Sequence, residues 1–154
     1  MTKPTKSEGA NALKGAVAVM NRLCDRCCEV SGECTPAKCK KEAHAIVDAI
    51  VDAWNENYGK GSDTTRDNVG GYLCWDWTRF FLAAVRETKP TCWTVDYEVH
   101  WDGPRDRARW QACHCWVALH SCQKSDECKV MIDDSWFDGE FVHEAPYLES
   151  GSKT

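Results

Sequence analysis

Three positions in the second half of the chain have the residue types and order that thiol chemistry needs. Cys74 follows two glycines and opens an aromatic run, GGYLCWDWTRFF. A thiol attacks as its thiolate, and a helix start favours that form because free N–H groups and the macrodipole attract negative charge. Gly70 and Gly71 would let the backbone turn sharply before it and let a substrate approach closely. Taken alone, the stretch reads equally as a core helix carrying one small buried cysteine. His114, in ACHCWVAL, supplies a base, which must lie near the thiol in space but elsewhere in sequence. Strand alternation puts His114 and Trp116 on one face, where Trp116 would wall a cleft, and Cys113 and Cys115 on the other. A half-exposed surface histidine is the plainer reading; His44, His100, His120 and His143 lack a comparable neighbourhood. Asp133 and Asp134, in VMIDDSWF, end the following strand, where a carboxylate can orient the imidazole and stabilise its cation. Two acids opening a turn would look the same.

The elements that must position these residues fall into two halves. Residues 10 to 23 have helical composition interrupted by Gly15, and residues 24–39, CDRCCEVSGECTPAKC, read as a cysteine-rich loop. From 37 to 58, Ala43, Ile46, Val47, Ile50, Val51 and Trp54 form the apolar stripe of an amphipathic helix. A polar, glycine-rich connection leads to the Cys74 helix, which should run to about Arg86. Then the period changes to two. Trp93, Val95, Tyr97, Val99 and Trp101 alternate with polar residues, and the turn DGPRDRAR returns the chain as WQACHCWVALHS. CQKSDEC turns again into KVMIDD, and GEFVHE adds a short strand. Helices followed by hairpins predict an α+β fold, with N-terminal helices packed on an antiparallel β-meander. One domain over 1–154 is expected, with flexible tails at 1–9 and 149–154.

Composition narrows the class. The chain has 154 residues, a formal charge of −5 and 43% hydrophobic residues. Its basic residues are scattered, which argues against a nucleic-acid footprint, and no apolar run approaches a membrane span. Eight tryptophans and eleven cysteines are the excess. The tryptophans suit an aromatic core or a cleft gripping a peptide-like ligand. The opening residues carry no export signal, so a reducing, cytoplasmic setting is the default, where clustered cysteines favour metal or free thiols. The cysteine content itself leaves a secreted form open.

YLCWDW, CHCWVAL and VMIDDSW together resemble the transglutaminase-like branch of the papain-like cysteine hydrolase superfamily, over roughly residues 68–142. The resemblance implies a papain/transglutaminase-like core with the nucleophile at a helix N-terminus. It further implies a Cys74–His114–Asp133 triad and acyl transfer through a thioester, as a peptidase or amidase acting on a peptide or protein substrate bearing an amide, with no cofactor. Asp134 stands where the family usually has proline, and Ser135-Trp136 follows as Thr/Ser-Trp often does. Papain-like enzymes place a glutamine in the oxyanion hole six residues before the nucleophile; here the residue is Asn68, a shorter amide. The Cys74 N–H is then the first oxyanion donor, with Asn68 or Tyr72 as seconds and Trp116 and Trp136 near the substrate.

The N-terminal helices and the cysteine-rich segment fall outside that resemblance. Cys24, Cys27, Cys34 and Cys39 have spacing that zinc could use, although disulfides are favoured over a structural metal. Cys122 and Cys128 bracket a hairpin turn and could bridge it. Five bridges would leave one thiol, which the triad assigns to Cys74. Two other classes of function compete: a catalytically inactive, tryptophan-rich binding module on the same fold, and a disulfide- or zinc-stabilised interaction domain in which Cys74 is core.

Overall fold

The computed structural model of the chain describes residues 3–65, 68–101 and 113–147. The fold is α+β. Helices α1 (Lys6–Lys14), α2 (Ala16–Cys27), α3 (Pro36–Asn57) and α4 (Cys74–Glu87) pack with strands β1 (Trp93–Trp101), β2 (Cys113–Ser121), β3 (Lys129–Ile132) and β4 (Val142–Glu144). The strands form one antiparallel sheet in the order β1-β2-β3-β4, the expected meander.

Local chemistry sets the helix boundaries. Thr5 and Glu8 form a reciprocal capping box, the Glu8 N–H donating to Thr5 Oγ1 at 3.1 Å and the Thr5 N–H to Glu8 Oε1 at 2.9 Å. Lys6–Gly9, expected in a flexible tail, are therefore helical. The Trp54 indole N–H donates to the Lys6 carbonyl at 2.7 Å and the Tyr58 hydroxyl to that of Pro4, while any Cβ on Gly9 would overlap the Trp54 ring. The helix expected over 10 to 23 is two helices, parted at Gly15. The second runs into the expected cysteine-rich loop, because Cys24 and Cys27 continue the buried stripe of Ala16, Met20 and Leu23. At the far end of that segment, Thr35 caps α3 and Pro36 occupies its first turn. On α3 the predicted stripe from Ala43 to Trp54 is buried.

Cys24–Cys39 joins α2 to α3, and three further disulfides tie this helical half to the sheet half: Cys27–Cys128, Cys28–Cys122 and Cys34–Cys92. The expected Cys122–Cys128 bridge is not made; each of the two reaches back to α2 instead, because α2 lies against the turn that holds them. Nor do Cys24, Cys27, Cys34 and Cys39 offer thiolates for zinc, since each sulfur is bonded to another sulfur. Five bridges with Cys74 left over do not arise among the described residues either: Cys115 is a second free thiol, and the Cys113 side chain lies outside them.

The hydrophobic cluster runs from Ala10 to Phe141 and takes Trp93, Val117, Leu119, Val130 and Ile132 from the sheet. These residues share one face by alternation and register, with Val117 opposite Ile132 and Leu119 opposite Val130. The other face of β2 carries His114, Trp116 and Ala118. The turn before α4 is built on Gly70 (φ 62°) and Gly71 (φ 94°), a region that glycine alone enters at little cost. The close approach these glycines allow is made by the protein itself. A Cβ on Gly71 would lie 2.6 Å from the Gly61 carbonyl oxygen, and one on Gly70 would lie 2.7 Å from the Tyr58 ring.

Candidate active site

Cys74 is the first residue of α4. The Leu73 N–H is held by the Asp76 carboxylate at 3.3 Å, and the Trp77 indole donates to the Val69 carbonyl at 2.7 Å, anchoring the helix start to the preceding turn. The N–H of Cys74 belongs to the first turn, where no intrahelical acceptor exists. Half-buried Cys74 faces β2, with its Sγ 3.7 Å from that of Cys115. The Thr78 hydroxyl, one turn along α4, lies 3.6 Å from the same Cys115 sulfur.

His114 is 3% exposed. Its Nε2 lies 3.1 Å from Asp133 Oδ2, and the ring sits among Trp116, Trp136 and Phe137 at centroid distances of 5.6, 5.6 and 5.9 Å, stacked on the last. Its other nitrogen, Nδ1, is buried without a hydrogen-bond partner. The Cys74 thiol does not complete a well-formed bond to it, yet each of the two groups shifts the other's proton affinity. Of the two acids, Asp133 is the one bonded to the imidazole. Its Oδ1 accepts the Ser135 N–H at 2.9 Å, and its Oδ2 also accepts from the Tyr147 hydroxyl at 2.8 Å and faces His143 Nε2 at 3.2 Å. Asp134 accepts the Trp136 N–H through Oδ1 at 3.1 Å, whereas its Oδ2 is buried without a partner.

Burial and hydrogen bonding act against each other on His114, Asp133 and Asp134. Burial pulls the His114 pKa down, but Asp133 and then Cys74 outweigh it and raise it to about 10. Burial raises Asp133, and the bonds from His114 and His143 more than reverse that, holding it below the usual carboxylate range. Burial dominates at Asp134 and lifts it to about 7. Cys74 is pushed up by the Cys115 thiol and by burial, against a downward pull from His114. At neutral pH the site therefore holds a His114 cation against an Asp133 carboxylate, with Cys74 as a thiol.

The other predicted residues take different places. Trp116 is fully buried and donates its indole N–H to Glu98 Oε1 at 3.0 Å, so it backs the imidazole instead of walling an open cleft. Tyr72 packs edge-on against Trp77 and Phe80. The Asn68 amide donates to the Thr65 carbonyl, and its oxygen accepts from Lys3 at 3.3 Å. Trp136 is partly buried against His114. The exposed aromatics flanking the reactive groups are instead Trp75, next to Cys74, and Phe137, on the His114 ring, at 46% and 45% exposure.

Sequence reasoning missed Cys115, His143 and Tyr147. Alternation had turned Cys115 away from His114, which is correct, but the start of α4 reaches both. His143 was recoverable from the register: it pairs with Met131, two residues before Asp133 on the same face. Nothing in the sequence points to Tyr147. The donor atoms of His114, Asp133 and Asp134 lie within 4.8 Å of one another, as metal ligands do. Asp133 Oδ2, however, already faces Tyr147 and two imidazoles, so the cluster reads as a hydrogen-bond network. Comparison with family models, curated proteins and solved structures gives no match to this chain.

Proposed function

We propose that the protein is a cysteine-dependent acyl hydrolase or transferase acting on amide-bearing peptides or proteins, with Cys74 as nucleophile, His114 as proton carrier and Asp133 as the residue that orients it. The observation that carries this reading is the His114 ring: Nε2 fixed on Asp133 at 3.1 Å and Nδ1 buried without a partner, with the Cys74 thiol at the start of α4. In the reaction, Cys74 Sγ adds to the substrate carbonyl and its proton passes to His114 Nδ1. The Cys74 N–H stabilises the oxyanion. His114 then protonates the leaving amine, and water or an amine releases the acyl group from sulfur.

The proton balance sets the working pH. His114 can accept the thiol proton only after the Cys74–His114 pair has lost one proton, a loss that belongs to the pair and not to either residue. Activity therefore climbs as pH rises towards about 10, the value to which Asp133 and Cys74 raise the His114 pKa. Trp75 and Phe137 favour acyl donors carrying an apolar or aromatic group beside the scissile bond. The four disulfides fit an oxidising compartment.

Turnover of a panel of peptide amides and esters with free and blocked termini tests the proposal. Cys74→Ala and His114→Ala should each lower kcat by about 10³-fold or more while the folded chain persists. Undiminished turnover by Cys74→Ala would overturn it.

A further inference from the structure

Eight of the described cysteines are bonded in pairs. Two described thiols are free, Cys74 and Cys115, and they touch each other sulfur to sulfur at 3.7 Å. We propose that they form an oxidisable dithiol: Cys74 is the site of attack on a hydroperoxide, and Cys115 resolves the product as a reversible Cys74–Cys115 disulfide.

The two thiols have complementary positions. Cys115 is 2% exposed, fixed in the inner strand β2 by its pairing with Val99 and held towards α4 by the Thr78 hydroxyl. No soluble oxidant reaches it directly. Half-buried Cys74 can be reached, and it is the thiol that His114 serves with a proton site. A disulfide needs about 2.05 Å between sulfurs. Closing the 3.7 Å contact to that length requires rotation of the Cys74 side chain, which stands at the first position of α4. The proposed function enters only through His114 as proton acceptor; no acyl substrate is required.

The chemistry balances in two steps. The Cys74 thiolate attacks the terminal oxygen of the hydroperoxide, breaking the O–O bond. Sulfur is oxidised to sulfenic acid, and the alkoxide leaves as alcohol after taking the proton held by His114. The Cys115 sulfur then displaces hydroxide from the sulfenic acid; the Cys115 proton and that hydroxide leave as water. Two thiols and one hydroperoxide give one disulfide, one alcohol and one water. The bond turns the Cys74 sulfur towards the strand and away from any carbonyl, so the acyl chemistry stops until a reductant restores the thiols. It also keeps Cys74 from reaching the sulfinic acid, which simple thiols do not reverse.

The test treats the folded chain, its disulfides intact, with tert-butyl hydroperoxide and maps unreduced peptides by mass spectrometry. Wild type should lose about 2 Da, join the Cys74 and Cys115 peptides, and resist iodoacetamide at both. Cys115→Ser and Cys115→Ala should both carry Cys74 to the sulfinic acid, a gain of about 32 Da, and Cys74→Ala should lose the reaction. Sulfinic acid in wild type at the variants' rate, a bond from Cys74 to Cys113, or no oxidation of Cys74 would each overturn the inference. A chain that forms the bond yet cleaves no amide keeps this inference and loses the proposed function. A hydrolase that goes straight to sulfinic acid does the reverse.

Discussion

Replacing Asp134 by Asn should change how stability depends on pH, with a sign and size that follow from its surroundings. The side chain is 1% exposed, Oδ1 has one donor, the Trp136 N–H, and Oδ2 has none. Burial therefore raises the carboxyl from 3.8 to about 7 in the folded chain, with neighbouring Asp133 adding to the rise and His114 opposing it. A group whose folded pKa lies above its unfolded value binds its proton more tightly when folded. Its contribution is complete below the unfolded pKa and is lost as pH rises through the folded one. Each pH unit between about 4 and 7 should remove about 1.4 kcal/mol, or about 4 kcal/mol in all. Asn keeps the oxygen that accepts from Trp136 and cannot ionise. The stability of Asp134→Asn relative to wild type should thus rise across that window and level off above pH 7, on top of a constant offset from its new N–H donors. Urea unfolding of both proteins at four pH values from 4.5 to 8, under non-reducing conditions, measures the difference. Parallel curves, differing by less than about 0.3 kcal/mol per pH unit, would refute the reasoning, because a carboxyl that is already ionised or solvated would give that result.

Asp133→Asn removes the one carboxylate that faces His114, His143 and Tyr147, so turnover should fall by about 10²–10⁴-fold with little change in KM. A loss confined to KM would place Asp133 in substrate binding. Removing the Cys115 sulfur takes away the largest upward pull on Cys74; Cys115→Ala should therefore be alkylated at Cys74 several-fold faster at pH 8, and an unchanged rate would contradict the electrostatic account. Cys27–Cys128 and Cys28–Cys122 join the last residue of α2 and the residue after it to the two ends of one turn. With one intact, the other closes only a short loop. Removing either should cost about 2–3 kcal/mol in chemical unfolding, and removing both about 6 kcal/mol or more. A double variant costing no more than a single one would contradict this.

The parts of the fold that were legible in the sequence are those where one periodicity ruled a long stretch. The 3.6-residue stripe of α3 fixes a buried face over many residues, and the alternation of β1 sets buried Trp93 and half-buried Val95 and Tyr97 against exposed Thr94 and Asp96. The segment from Cys24 to Cys39 was misread because Gly32 marks a turn only at its centre and Pro36 opens α3, while Cys24, Cys27 and Cys39 serve as buried helix positions on either side. The disulfide partners were out of reach for a related reason. Cys122 and Cys128 are near each other in sequence, but α2, about a hundred residues away, is nearer in the direction their side chains point. At the candidate site, Cys74, His114 and Asp133 are proposed by type and order, and of these the register of β2 against β3 brings His114 and Asp133 together. Asn68 and Trp116 were assigned by position in a motif, and their polar groups turn instead to Thr65, Lys3 and Glu98. Cys115 escaped notice because alternation describes a strand's faces and not the helix end that reaches past its edge.

Capture of a thioester tests the central claim most directly. The folded chain, mixed briefly with a p-nitrophenyl ester of an N-acylated phenylalanine at pH 9 and quenched in acid, would be weighed intact and mapped. The account predicts one added acyl group, located on Cys74, released by neutral hydroxylamine, and absent from Cys74→Ala and His114→Ala over the same time. An acyl group on another residue, or an equal yield from His114→Ala, would contradict it.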